Sequence, residues 1–141
     1  RSCMLLDEQD IPGFMKLCHP EFRYQLAAYS PEIKKEMTWL DRDRQEMEGF
    51  FNMLPMHNSD HSQLTRNVTV YKVEFDEARG QAHAVSALQI YRTALDGGST
   101  KLFAVGKYYD TVSLAGGVPS LLSRRVRLVT RDLRWGDHIP F

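Results

Sequence analysis

Two histidines and an aspartate, His57, Asp60 and His61, lie close together in the middle of the chain. These residue types bind transition metals and can act as acid and base. Histidine pairs that bind a metal at this spacing usually share one face of a helix, whereas Pro55 and the polar residues after His57 favour a loop. No Cys-x-x-Cys or His-Glu-x-x-His sequence supplies further ligands. We therefore interpret the cluster as a loop in which Asp60 and His61 hydrogen-bond the turn before a strand.

His83 is the second candidate for acid–base chemistry, and it lies in an alternating, largely apolar segment. As part of a strand, its side chain shares a face with Val85, and Ala82 and Ala84 lie on the other face. It could act as a general base towards an interior cavity. A single histidine on an apolar face is, however, more often a hydrogen-bonded core residue. The sequence contains no Gly-rich phosphate loop and no nucleophile with a recognisable base beside it.

The last β-rich segment carries a cluster of arginines: Arg124, Arg125, Arg127, Arg131 and Arg134. Alternation in a strand predicts a basic strip of Arg125, Arg127 and Arg131 opposite Val126 and Leu128. Such a strip can be a solvated sheet edge that resists strand pairing. It can also contact acidic groups of another subunit, because the planar guanidinium suits carboxylates. Nucleic acid is the weakest option, since 18 basic and 18 acidic residues cancel.

Length and composition favour a single domain over residues 1–141. The chain has 141 residues, of which 43% are hydrophobic, so it can bury a core without covalent cross-links. Cys3 and Cys18 are too few for a disulfide framework, and we expect reduced thiols in a cytoplasmic protein. No apolar run approaches the ~20 residues of a membrane helix, and no signal-peptide pattern leads the chain. We expect neither a membrane nor a nucleic-acid partner.

The first part of the chain has helical signals and two short strand patterns. Asp10 and a proline in the first turn predict a helix that ends near His19. Alternation predicts strands over 22–27 and 37–39. Asp43 and Glu46 have the spacing of a capping box, and an apolar stripe then predicts a helix that Pro55 ends.

Everything after Pro55 has the pattern of a sheet, with β-rich segments over residues 68–75, 82–93, 102–112 and 123–133. Short connections rich in turn formers separate them, which predicts an antiparallel meander. Helices followed by such a meander indicate an α+β fold, because parallel strands would need crossover helices. Both faces of these strands are partly apolar. We expect the helices to cover one face and a partner subunit to cover the other.

Three stretches, taken in order, resemble one protein family. They are LLDEQDIPGFMKLCHPEFRYQLAAY, DHSQLTRNVTVYKVEF and VGKYYDTVSLAGGVPSLLSRRVRLVTRDLRWGDHIPF. They look like the N-terminal helices and first strand, the His-x-x-x-Thr-Arg start of a long strand, and the Gly-x-Tyr-x-Asp strand with a closing arginine-rich hairpin. These are features of the small (β) subunits of Rieske-type non-haem iron ring-hydroxylating oxygenases. The family's usual tryptophan before the last strand is here Leu121-Leu122.

The resemblance implies a cystatin-like, nuclear-transport-factor-like cone, with N-terminal helices packed on a strongly curved antiparallel sheet. It also implies that the chemistry belongs to a partner large (α) subunit, which holds a [2Fe-2S] Rieske cluster and a mononuclear Fe(II). This chain lacks the Cys-x-His and Cys-x-x-His pair of that cluster. We therefore expect no catalytic, metal or cofactor-binding residue in it.

The implied role is that of a non-catalytic, structural subunit of an oxidoreductase. The enzyme would be a mono- or dioxygenase that hydroxylates an aromatic acid or a small sulfonate. The small subunits would form a trimer that braces a hexamer of three large and three small subunits. Electrons would come from NADH through a reductase, in some systems with a ferredoxin. Asp60, His61 and Arg66 would fix the start of the long strand or touch the large subunit. The subunit-interface residues implied in this way are His61, Arg66, Arg125, Arg127, Arg131 and Trp135.

Two alternatives share the same fold. Stand-alone isomerases and dehydratases of the ketosteroid-isomerase kind use a base and a donor in a cavity beneath the sheet. Here His83 would be the base, with Tyr24 or Tyr108 as the donor, and the distinguishing feature is a polar pair facing an accessible cavity. The other alternative is a binding or dimerisation module without an oxygenase partner.

Overall fold

A computed structural model describes residues 1–57, 63–94, 98–130 and 141, and residues 51–57 by their backbone alone. The helices are α1 (Ser2–Asp7), α2 (Ile11–Leu17) and α3 (Arg44–His57), and the strands are β1 (Cys18–Ser30), β2 (Lys35–Asp43), β3 (Gln63–Asp76), β4 (Gln81–Thr93), β5 (Thr100–Ser113) and β6 (Ser120–Leu128). None of the helices in these residues has both the length and the apolar character needed to cross a membrane.

The six strands form one sheet with the order β2-β1-β6-β5-β4-β3. Strands β3 to β6 are the predicted antiparallel meander. One pairing departs from the antiparallel sheet that the resemblance implies, because β1 pairs with β6 in parallel. The elements from β2 to β5 connect these two strands, so their parallel pairing needs no separate crossover helix. β6 therefore lies inside the sheet, bonded on both sides, and its arginines are not a solvated edge as one interpretation had it.

Capping explains where the helices begin. The Asp10 carboxylate accepts a hydrogen bond from the backbone N–H of Gly13 at 3.0 Å, and a proline occupies the first turn of α2. Asp43 and Glu46 form the predicted capping box at α3, with the Glu46 N–H donating to Asp43 Oδ1 at 2.8 Å and the Asp43 N–H donating to Glu46 Oε1 at 3.3 Å.

The C-terminal ends of α2 and α3 both differ from the prediction. α2 ends at Leu17, because Cys18 takes an extended conformation and begins β1 earlier than expected. α3 continues past Pro55 to His57, so the predicted stop at Pro55 and the loop position of His57 are wrong. Proline removes one backbone donor but fixes φ near its helical value, so a helix can continue briefly beyond it.

The helices pack on one face of the curved sheet, which we call the inner face. α1 contacts β3, α2 contacts β1, and α3 contacts β1 and β2. Every strand pairing contains a register shift, and such β-bulges bend a sheet. The core between helices and sheet includes Phe14, Phe22, Tyr24, Leu26, Met47, Leu88, Ile90, Tyr108, Val126, Leu128 and Phe141, all at most 2% exposed.

Strand β4 shows how the two faces differ. The predicted alternation is confirmed: Ala82, Ser86, Leu88 and Ile90 are buried on the inner face, and Ala84 on the same face is half-buried. His83 and Gln89 are exposed on the opposite face, which we call the outer face, while Val85 and Ala87 there are half-buried. The outer face is therefore partly apolar, while the buried helix residues Leu6, Phe14 and Met47 belong to the core on the inner face.

Candidate functional site

A buried ion pair joins the last two strands on the inner face. Arg124 Nε donates to Asp110 Oδ1 at 2.9 Å and Arg124 Nη2 donates to Asp110 Oδ2 at 3.1 Å. The same Nη2 donates to Ser2 Oγ at 3.0 Å, which ties helix α1 to the sheet. Burial alone would lower the pKa of the Arg124 guanidinium, but the Asp110 charge, the neighbouring Tyr108 and the hydrogen bond to Asp110 together outweigh it, so the pKa is raised. Two hydrogen bonds between opposite charges thus join β5 to β6 in the interior.

The Gly-x-Tyr-x-Asp sequence of β5 has a structural explanation. Gly106, Tyr108 and Asp110 alternate, so all three face inwards. A Cβ atom on Gly106 would lie 2.4 Å from the Arg127 carbonyl oxygen, so only glycine permits the close approach of β6. The Arg124 guanidinium carbon lies 4.0 Å from the centroid of the Tyr108 ring, a cation–π contact. The pattern therefore packs β5 against β6.

A second buried ion pair ties the end of α1 to the start of β3. Arg66 Nη1 donates to Asp7 Oδ1 at 2.7 Å, and the Arg66 backbone N–H lies 3.1 Å from each carboxylate oxygen. The Arg66 side chain is only 1% exposed. Of the two roles expected for Arg66, this geometry favours fixing the start of the long strand.

Among the described residues, His83 and the two candidate tyrosines do not form the pair expected of an isomerase or dehydratase. His83 lies on the outer face, where its Nδ1 is 3.1 Å from Thr111 Oγ1. Tyr24 is buried on the inner face and its hydroxyl accepts a hydrogen bond from the Phe141 N–H at 3.1 Å. Burial raises the pKa of Tyr24 to about 12, and burial also raises the pKa of Tyr108. His83 therefore shares no cavity with either tyrosine, and the idea that it faces an interior cavity is wrong. The favoured interpretation of His83 as a core residue is also wrong, because its side chain is exposed.

Arg125 and Arg127 lie on the outer face, opposite the buried Val126 and Leu128, as alternation predicted. Both arginines form ion pairs with Glu36 of β2, and Arg127 Nε lies 3.6 Å from Glu36 Oε1. Three more predicted residues, His61, Arg131 and Trp135, lie outside the described residues, as does Asp60.

Lys107 is an outer-face residue that the sequence interpretation missed. It is the direct partner of Arg127 in the β5–β6 pairing, so two cations stand side by side. They lean apart. The Arg127 guanidinium lies 5.4 Å from the Tyr29 ring centroid, and Lys107 Nζ lies 5.9 Å from that of Tyr71. A groove of about 460 Å³ opens here, and Tyr109 also lines it.

The edge strand β3 exposes a further apolar surface. Val70, Tyr71, Val73 and Phe75 are between 46% and 69% exposed. Exposed apolar side chains on an edge strand are typical of a contact with another chain. The exposed apolar residues of β3 and the partly apolar outer face make the described surface suited to contacts with other subunits.

The described residues contain no group of three or more His, Cys, Asp or Glu side chains that could hold a metal ion. Cys18 is buried and its Sγ lies 3.4 Å from the Phe14 carbonyl oxygen. Burial raises the pKa of this thiol to about 12, against weaker opposing effects of Arg44 and Arg124. A ligand to an iron–sulfur cluster must be a thiolate, so Cys18 does not fit that role.

Comparison with known proteins gives a consistent result. The model of the family described as "Ring hydroxylating beta subunit" matches residues 1–134. The chain is 40% identical to the methanesulfonate monooxygenase hydroxylase subunit beta of Methylosulfonomonas methylovora, over 99% of this chain and 81% of the relative. It is 27% identical to the 2-aminobenzenesulfonate 2,3-dioxygenase subunit beta of Alcaligenes sp, over 96% of this chain and 89% of the relative.

Solved structures agree on the fold. A structure of naphthalene 1,2-dioxygenase with indole bound in its active site contains a chain that superposes with a TM-score of 0.78 at 19% identity. The match covers 98% of this chain and 79% of that one. The predicted α+β, nuclear-transport-factor-like fold is thereby confirmed.

Proposed function

Because the chain belongs to the family of ring-hydroxylating beta subunits, we propose that it is the non-catalytic small subunit of a multicomponent Rieske-type oxygenase. The observation that carries this proposal is the structural role of the buried ion pairs in the described interior. Its ionisable pairs, Arg124 with Asp110 and Arg66 with Asp7, are engaged in joining helix α1 to the sheet. They hold the fold together.

The redox groups in this proposal belong to the large subunit, which would hold the [2Fe-2S] cluster and the mononuclear Fe(II). The donor set of this chain supports that assignment, since Cys18 is a buried thiol whose pKa is raised to about 12. A cluster would supply electron transfer to the iron at which oxygen reacts. In the part of the chain that the structure describes, no group of three or more His, Cys, Asp or Glu side chains could hold a metal ion.

The substrate we propose is a small sulfonate, with an aromatic acid as the second choice. Two relatives are named for sulfonates, methanesulfonate and 2-aminobenzenesulfonate. The 40% identity to the methanesulfonate monooxygenase subunit supports an alkanesulfonate in particular. Substrate selection itself would belong to the large subunit.

The partners we propose are three large subunits and two further copies of this chain in one hexamer. The half-apolar outer face and the exposed apolar residues of β3 support such contacts. An NADH-dependent reductase, with or without a ferredoxin, would supply electrons in the cytoplasm. Residues 1–141 would act as a single domain, since each described helix packs on the same sheet or on a helix that does.

Reconstitution tests this function. The large subunit, the reductase and NADH are mixed with methanesulfonate, and oxygen uptake is measured with and without this chain. We expect substrate-dependent uptake that requires both subunits and none from this chain with the reductase alone. Equal uptake in the absence of this chain would contradict the proposal.

A further inference from the structure

Lys107 and Arg127 are like charges on directly opposite residues of the β5–β6 pairing, and both face outwards. Like charges at directly opposite positions in a sheet repel each other. The two side chains accordingly lean apart, Arg127 towards Tyr29 and Lys107 towards Tyr71. Both cations line the same groove, so an anionic group in it would meet two positive charges.

The local charge of this region is unbalanced. Lys107, Arg125 and Arg127 provide three cations, and Glu36 is the carboxylate that pairs with both arginines. Within the described ranges, no second carboxylate pairs with these cations, which leaves an excess of two. The whole chain has 18 basic and 18 acidic residues, so this excess is local. Charge complementarity therefore calls for an anionic occupant.

The groove also has aromatic side chains in its lining. The rings of Tyr29, Tyr71 and Tyr109 line it together with the aliphatic stems of the two cations. Its volume of about 460 Å³ is sufficient for one or two side chains. Tyrosine and arginine are enriched at the energetically dominant positions of protein interfaces. This composition favours a protein segment over a free small anion.

Resting on the function proposed above, we propose that the groove docks a carboxylate-bearing segment of the oxygenase large subunit. An Asp or Glu side chain of that subunit enters between Lys107 and Arg127, with the tyrosine rings on either side. A second copy of this chain is the weaker occupant. Several of its exposed carboxylates are already paired within their own chain, as in Arg42–Glu46, Arg44–Glu48 and Arg79–Asp76.

Charge reversal at Lys107 tests the proposal. Lys107→Glu places a carboxylate beside Arg127, which fills the anionic position from within the chain. The matched control is Lys16→Glu, which makes the same charge change at an exposed residue of α2 on the helix side. Affinity for the purified large subunit is measured by surface plasmon resonance at low and high salt, and the melting temperature of each isolated variant is measured in parallel.

We expect Lys107→Glu to weaken binding by about tenfold or more and to reduce its salt dependence. We expect the melting temperature of the isolated chain to be unchanged or higher, because the repulsion between the two cations is removed. Lys16→Glu should bind like the wild type. The combination of retained stability and lost affinity separates a docking role from a folding defect.

Three results would overturn the proposal. Equal affinity of Lys107→Glu and Lys16→Glu would show that the groove is not a docking site, while the function proposed above would stand. Self-association of the isolated chain that Lys107→Glu abolishes, with large-subunit binding intact, would place a second copy in the groove. Failure of the wild-type chain to bind the large subunit at all would remove the proposed function, and this inference with it.

Discussion

The Arg124 guanidinium and the Asp110 carboxylate form two parallel hydrogen bonds inside the protein, with side chains that are 5% and 11% exposed. They are direct partners in the β5–β6 pairing. Through Ser2, the same guanidinium holds the N-terminal helix. This one contact joins the beginning and the end of the described fold, so its loss should affect the whole domain.

We expect Asp110→Ala to lower the free energy of unfolding by about 3–5 kcal/mol, because it leaves the Arg124 charge buried without its carboxylate. Urea unfolding followed by circular dichroism measures this. The double variant Asp110→Leu with Arg124→Met should recover much of the loss, since it removes both charges. A single variant as stable as the wild type would show that the pair does not hold the fold.

Gly106→Ala should destabilise the protein by about 1–3 kcal/mol, because the added methyl group meets the Arg127 backbone oxygen and the Leu128 Cα atom. The control is Gly49→Ala, where a Cβ atom meets nothing within 4 Å and alanine is the better helix former. Thermal unfolding of both variants checks the prediction. Equal melting temperatures would contradict the close β5–β6 approach.

Stability should fall at alkaline pH. The pKa values of Cys18 and Tyr24 are raised from 9.0 and 10.0 to about 12, so the folded state retains protons that the unfolded chain loses. Their contribution to the free energy of unfolding is complete below pH 9. It is lost as the pH rises towards 12, by about 1.4 kcal/mol per pH unit for each ionising group.

The variant Tyr24→Phe isolates one of these groups. Between pH 10 and 12, the free energy of unfolding of this variant should fall less steeply with pH than that of the wild type. Between pH 7 and 9, the two proteins should show the same slope. Urea midpoints measured across this range give both slopes. Identical slopes above pH 10 would mean that the Tyr24 hydroxyl is not held in its neutral form.

His83→Ala should leave both oxygenase turnover and stability almost unchanged, within about 0.5 kcal/mol for unfolding, because the side chain is exposed and its hydrogen bond is to the surface residue Thr111. Oxygen uptake by the reconstituted complex and thermal unfolding measure the two quantities. A large loss of turnover in a well-folded variant would reopen a catalytic role for this histidine.

Much of the sheet could be predicted from local patterns. Alternation in β4 assigned Ala82 and His83 to opposite faces, and Asp43 with Glu46 located the start of α3. Alternation cannot say which face the helices cover, because that depends on packing between distant segments. This is why His83 could be taken for an interior base.

Long-range contacts could not be predicted in the same way. The parallel pairing of β1 with β6 and the Asp7–Arg66 contact across 59 positions both join segments that are far apart in the sequence. The resemblance pointed to the stretches that contain Asp7, Arg66, Asp110 and Arg124, but no spacing rule shows that they pair. Lys107 was missed for a related reason, since its position beside Arg127 follows only from the register of β5 and β6.

The most direct test of the central claim is the composition of the purified complex. This chain is co-expressed with a large subunit that carries the Rieske motif, and size-exclusion chromatography with light scattering is combined with iron analysis. We expect the two chains to co-elute with the mass of three large and three small subunits, and the iron to match the large chain alone. A small chain that elutes separately as a stable dimer, or that carries iron of its own, would contradict the account.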